Sequence, residues 1–126
     1  VLNGFPILVV EDELTIANML VKAIKDLEGC AVGPVATVVE GMALLETEQI
    51  AAAILDAHLQ DRDVTPLALA LIARSVPFVV CTASSVPEEL AALHPNLPLV
   101  RKPAVPTAVL AALLQEVSPD RALFRR

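Results

Sequence analysis

The chain has 126 residues, a length that suits one domain and buries roughly two-thirds of its unfolded surface without disulfide or metal staples. Apolar residues make up 56% of it and aromatics 2%, which excludes a disordered chain and a base-stacking platform for nucleic acid. The formal net charge of −6 argues against binding phosphate backbones and fits an acidic protein with a cation in its site.

In chain order, Pro6 stands just ahead of a β-branched run, residues 7–10, that reads as a first strand. Residues 13–27 read as a helix, because Ile16, Leu20, Ala23, Ile24 and Leu27 recur at spacings of three and four, and Gly29 is expected to stop it. Residues 30–35 form the second strand. Thr37 with Glu40 three residues on has the form of a capping box opening a helix packed by Met42, Ala43, Leu45 and Ile50. Residues 51–56, AAAILD, are five apolar residues ending in one carboxylate, the pattern of a strand buried on both faces of a parallel sheet. A polar loop leads to Pro66, which suits the first turn of a helix reaching about Arg74. Residues 76–81 and 97–100 are the fourth and fifth strands, with a short helix opened by Pro87 between them. Pro106 opens the last helix, Ser118-Pro119 is expected to end it, and residues 120–126 form a tail.

This βα alternation predicts an α/β fold, a five-stranded parallel sheet covered on both faces. The whole chain, 1–126, is expected to be one domain with residues 1–4 and 119–126 as flanking tails. Cys30 and Cys81 lie in apolar runs and are expected to be buried free thiols rather than a disulfide. No apolar stretch approaches the roughly 20 residues that span a bilayer, and the N-terminus has no basic or long apolar signal region. A cytoplasmic protein that touches neither membrane nor nucleic acid directly is the expectation.

Glu11, Asp12 and Asp56, together with Thr82 and Lys102, fall at the carboxyl ends of four of these strands, the edge where open α/β sheets bind ligands. Crowded carboxylates repel unless a cation sits among them, and magnesium takes such hard oxygen ligands, commonly beside phosphate. A carboxylate flanked by magnesium and a lysine can attack a phosphoryl group to give an acyl phosphate.

The ordered set Ile7-Leu8-Val9-Val10-Glu11-Asp12-Glu13, Ile54-Leu55-Asp56, Thr82-Ala83 and Lys102-Pro103 resembles the receiver domains of two-component response regulators, over essentially the whole chain. The resemblance implies a doubly wound, flavodoxin-like (βα)5 fold with strand order 2-1-3-4-5. It implies Asp56 as phosphoacceptor, with Glu11, Asp12, Asp56 and the backbone carbonyl of His58 around Mg2+. Thr82, Ala83 and Lys102 would bind the phosphoryl group. The partners implied are a histidine kinase or phosphotransfer protein upstream, a protein target or attached domains downstream, and a homodimer. Gly33-Pro34, Pro77-Phe78 and Lys102-Pro103 are similar to an alphaproteobacterial stand-alone subgroup, although that subgroup usually has Phe-Ala-Thr-Gly where this chain has Val80-Cys81-Thr82-Ala83. The chain opens on Val1 rather than Met and too little follows the last helix for an output domain, so it is expected either to act alone or to be one part of a larger regulator.

Two departures bear on mechanism. Receivers often carry Tyr or Phe three residues before the lysine, and here that residue is Leu99. The loop after the acceptor lacks the usual Pro-Gly pair and reads Leu59-Gln60-Asp61-Arg62-Asp63. A receiver is a signalling domain rather than an enzyme, supporting only its own phosphorylation and dephosphorylation. The alternatives are a pseudo-receiver that binds protein without being phosphorylated, and a haloacid-dehalogenase-type phosphohydrolase using Asp61 and Asp63 of the DxDxT match Asp61-Arg62-Asp63-Val64-Thr65. The side chains of His58 and His94 are expected at the surface.

Overall fold

Short runs of Val, Ile, Leu and Ala without polar alternation are stable as strands only when both faces are covered. Residues 2–117 are described by a computed structural model, and the helix end at Ser118-Pro119 and the tail 120–126 lie outside the described residues. The elements are β1 (Pro6–Val10), α1 (Leu14–Asp26), β2 (Cys30–Val35), α2 (Val38–Thr47), β3 (Ala52–Asp56), α3 (Thr65–Ala73), β4 (Phe78–Thr82), α4 (Glu88–Leu93), β5 (Leu99–Arg101) and α5 (Pro106–Glu116). The strands form one parallel sheet in the order β2-β1-β3-β4-β5. This is the expected doubly wound, flavodoxin-like arrangement.

Alternation along the strands divides the core into two layers. Ile7, Val9, Ile54, Val79 and Cys81 face α1 and α5, meeting Leu20, Ile24, Leu110 and Leu113. Leu8, Val10, Leu55, Phe78 and Val80 face α2, α3 and α4, meeting Leu45, Leu67, Leu71 and Leu90. The chain leaves β1 toward β2 on one side and later places β3 on the other, so β1 and β3 flank the point where the winding reverses. Ligand crevices of open α/β sheets form at that point.

Several expectations are corrected in detail. Leu2, expected in a flanking tail, is 1% exposed and donates its backbone N–H to Leu27 O at 2.8 Å. Cys30 is free but exposed, because β2 is an edge strand, while Cys81 is free and buried. Ala43 faces solvent, and α2 instead buries Val38, Gly41 and Leu45. The fourth strand starts at Phe78 rather than Val76, since the Val76 N–H closes the end of α3 on Leu71 O. The fifth starts at Leu99, because the Leu97 N–H is held in a turn by His94 O, and it runs on to Arg101.

The end of α1 is also made differently. Glu28, not Gly29, takes the left-handed conformation (φ 67°), with the Gly29 N–H bonded back to Ile24 O at 2.9 Å. Gly29 serves by its size. A Cβ there would lie 2.7 Å from Leu2 Cδ1 and 2.8 Å from Ile24 Cγ2, both in the core.

Candidate functional site

The parallel register aligns the strand ends. Val10 pairs with Leu55, Asp56 with Cys81, and Thr82 with Arg101. The residues at or just past these ends are therefore Glu11, Asp56, Thr82 and Lys102, brought from four strands to one edge. Asp12 follows Glu11 into the same place. Carboxylate oxygens of Glu11, Asp12 and Asp56 all lie within 4.8 Å of one another.

Lys102 joins the cluster. Its Nζ donates to Glu11 Oε1 at 3.0 Å and to Asp56 Oδ1 at 3.1 Å. Glu11 accepts a further bond on Oε2 from the Glu13 N–H at 3.0 Å, which fixes its side chain at the turn into α1. The Lys102 N–H bonds Thr82 O at 2.9 Å, so the strand ladder itself delivers the ammonium. Glu11 and Asp56 are buried, and burial raises both carboxyl pKa values; Lys102 opposes the rise. For Asp56 the Asp12 carboxylate adds to the rise, and for Glu11 that of Asp56 does. Lys102 also titrates above its ordinary value, because its bonds to Glu11 and Asp56 outweigh the cost of its burial. Three oxygen donors this close, two of them reluctant to ionise, fit a hard divalent cation such as magnesium.

Thr82 is buried, with its hydroxyl oxygen accepting the Ser84 N–H at 3.1 Å. Ala83 is exposed at the start of the β4–α4 connection. Leu99 is 36% exposed at the head of β5, an aliphatic side chain with no hydrogen-bonding group. Cys81, immediately before Thr82, has its thiol pushed up to about 12 by burial and is not a nucleophile near neutral pH. An apolar hollow of about 380 Å³ opens beside the cluster, between α1 and the segment after Lys102, lined by Ile16, Met19, Leu20, Pro106 and Val109 among others.

The DxDxT match takes a structural role. Asp61 accepts the Val38 and Val39 N–H groups at 2.8 and 3.1 Å, so its carboxylate caps the start of α2. Asp63 accepts the Thr65 N–H at 2.9 Å at the start of α3. Both carboxyls are held below their ordinary values, Asp61 chiefly by the Val38 N–H and Asp63 chiefly by Thr65. Neither aspartate belongs to the acidic cluster.

The His58 side chain is exposed, as expected, and sequence reasoning missed the contacts that it and Arg101 make with the connection after Thr82. His58 Nε2 bonds Ser85 O at 2.9 Å, and Arg101 Nη1 donates to Ser84 O at 2.5 Å. Both contacts join segments far apart in the chain, so nothing in local spacing announces them.

No family model matches the chain, and no curated protein does either. Solved structures do. SdrG from Sphingomonas melonis Fr1 is 40% identical over 86% of this chain and 95% of its own, with a TM-score of 0.71. A BeF3-activated conformation of SdrG from Pseudomonas melonis Fr1 is 39% identical over 88% and 97%, with a TM-score of 0.69. The CheY-like response regulator receiver domain protein from Methanospirillum hungatei JF-1 is 28% identical over 87% and 90%, with a TM-score of 0.71. The likeness to SdrG fits the subgroup expected from the Gly33-Pro34 and Lys102-Pro103 pairs. Likenesses of this extent, on a sheet of this order, place the chain in the receiver-domain family of two-component response regulators.

Proposed function

We propose that the chain accepts a phosphoryl group on Asp56 from the phosphohistidine of a histidine kinase or phosphotransfer protein, and that this alters the surface it offers to a downstream partner. The observation that carries the reading is the Lys102 ammonium held between Asp56 and Glu11 at the carboxyl edge of the sheet. In the transfer an Asp56 carboxylate oxygen forms a bond to phosphorus, the P–N bond breaks, and the imidazole leaves with its electron pair. Lys102 then pairs with a phosphoryl oxygen in place of the carboxylate it holds now. The Thr82 hydroxyl donates to a second oxygen, with the Ala83 N–H beside it. Glu11, Asp12 and Asp56 would hold magnesium, with the His58 backbone carbonyl completing the set, and the ion would neutralise charge on the phosphoryl oxygens. SdrG takes a BeF3-activated conformation, and trifluoroberyllate on a carboxylate has the shape and charge of a phosphoryl group.

Exposed Met19 on α1, which lines the apolar hollow, suits the docking of the phosphodonor. On this reading the chain is a cytoplasmic signalling domain with no substrate turnover of its own. Among the described residues no helix is long and apolar enough to cross a membrane.

The test is intact mass after exposure to acetyl phosphate and magnesium. One added phosphoryl group is expected in the parent chain and none in Asp56→Asn. If the parent gains no mass, the pseudo-receiver reading replaces this one. Turnover of p-nitrophenyl phosphate that disappears in Asp61→Asn would instead establish the phosphohydrolase.

A further inference from the structure

The β4–α4 connection, residues 83–87, is tied at two successive carbonyls by side chains from opposite sides. Arg101 Nη1 donates to Ser84 O at 2.5 Å, reaching in from β5. His58 Nε2 meets Ser85 O at 2.9 Å, reaching in from the loop after β3. A carbonyl oxygen only accepts, so Nε2 carries the hydrogen. Among the described residues Arg101 makes no ion pair, and its guanidinium is turned onto a neutral carbonyl instead.

Between these ties the Ser84 N–H donates to Thr82 Oγ1 at 3.1 Å. That bond takes one lone pair of the hydroxyl and leaves its hydrogen available to donate elsewhere. The position of Ser84 therefore restricts the directions open to the Thr82 hydrogen. Arg101 pairs with Thr82 across the sheet and adjoins Lys102, while His58 follows Asp56 by two residues. Each tie is thus anchored on a strand end that carries a site residue. Leu99, aliphatic and without a hydrogen-bonding group, has no means of making an equivalent tie.

We propose that Arg101 and the His58 side chain are positioning residues, which clamp the β4–α4 connection and through the Ser84 amide aim the Thr82 hydroxyl at the phosphoryl site. The inference rests on Asp56 being the acceptor and Thr82 its partner. When the hydroxyl is drawn toward a phosphoryl oxygen, Ser84 shifts with it and strains both ties. The movement of the connection then carries the signal without an aromatic side chain.

The experiment uses the 126-residue chain, with acetyl phosphate and magnesium as phosphodonor and relaxation dispersion on the amides of residues 83–86. Arg101→Ala and His58→Ala are each expected to increase microsecond-to-millisecond exchange in that segment. Each is expected to slow phosphoryl acceptance about fivefold, the factor that one lost hydrogen bond represents. Arg101→Lys and His58→Gln keep a donor and are expected to restore both readouts, which a purely structural role would not require. A double alanine variant whose exchange and acceptance rate both stay within about twofold of the parent overturns the clamp, since two lost bonds predict far more. Loosened amides with an unchanged rate overturn the link to Thr82. If the parent takes no phosphate at all, the acceptor reading has failed, and the exchange measurement alone still decides whether the two ties hold the connection.

Discussion

Asp56 and Glu11 titrate above their ordinary values of 3.8 and 4.5, first because they are buried and then because they face other acids. The folded chain therefore binds more protons than the unfolded chain between those ordinary values and the raised ones. Stability from this pair is present at low pH and falls as pH rises through that window. Near neutral pH the ionised cluster costs stability, and removing a charge relieves it. Asp56→Asn is expected to raise the urea midpoint in magnesium-free buffer by the equivalent of about 1 kcal/mol, with the gain shrinking toward about pH 4. Lys102 works in the opposite sense. Lys102→Ala leaves two buried carboxylates without their cation and is expected to cost about 2 kcal/mol near neutral pH, again less in acid. Equal losses for Lys102→Ala at both pH values would show that packing, not charge, is the ammonium's contribution. The identity of these residues was legible from their places at strand ends. The 3.0 and 3.1 Å bonds that join them were not, since they span 91 and 46 residues of chain.

At the scale of elements, α2 shows how a local signal is completed from outside. Thr37 accepts the Glu40 N–H at 3.1 Å, the forward half of the capping box read from the sequence, while Glu40 Oε1 returns to the Ala36 N–H and the Thr37 hydroxyl rather than to the Thr37 N–H. Asp61, 23 residues away, satisfies the Val38 N–H that the box leaves open, and also Val39. Thr37→Ala is expected to cost about 1 kcal/mol in chemical denaturation. Asp61→Ala is expected to lower the thermal midpoint while leaving phosphoryl acceptance at Asp56 intact. Because the Asp61 carboxyl is held below its ordinary value, its contribution is present above about pH 4 and disappears as pH falls through the folded value. The DxDxT spacing offers catalysis at Asp61 as an alternative. Its hydrogen bonds assign it to a helix end, and only the approach of two loops could reveal that. The Gly29 stop was half legible for a similar reason. The helix does end there, but the left-handed residue is Glu28, and the glycine is required by Leu2 packing against it.

For the molecule as a whole, any ligand that binds only the folded chain stabilises it by mass action. On the proposed function, magnesium is such a ligand, because the three carboxylates come together only when β1 and β3 are side by side. Magnesium at about ten times its dissociation constant is expected to add about 1.4 kcal/mol to the unfolding free energy. Calorimetry of the parent chain, Asp12→Asn and Asp56→Asn with and without the ion checks this, and an equal rise in all three would assign the effect to nonspecific screening. The element order, the parallel sheet and the residues at its carboxyl edge are all legible along the chain. Apolar runs, proline positions and helical spacing are local properties, and a parallel βα repeat has few ways to fold. What those residues touch follows from how the chain packs. Asp61 became a cap, Cys30 an exposed edge residue, and Arg101 and His58 ties on the loop beside Thr82. Such contacts depend on separations of a few ångström between segments remote in the chain, and no spacing along the chain encodes them.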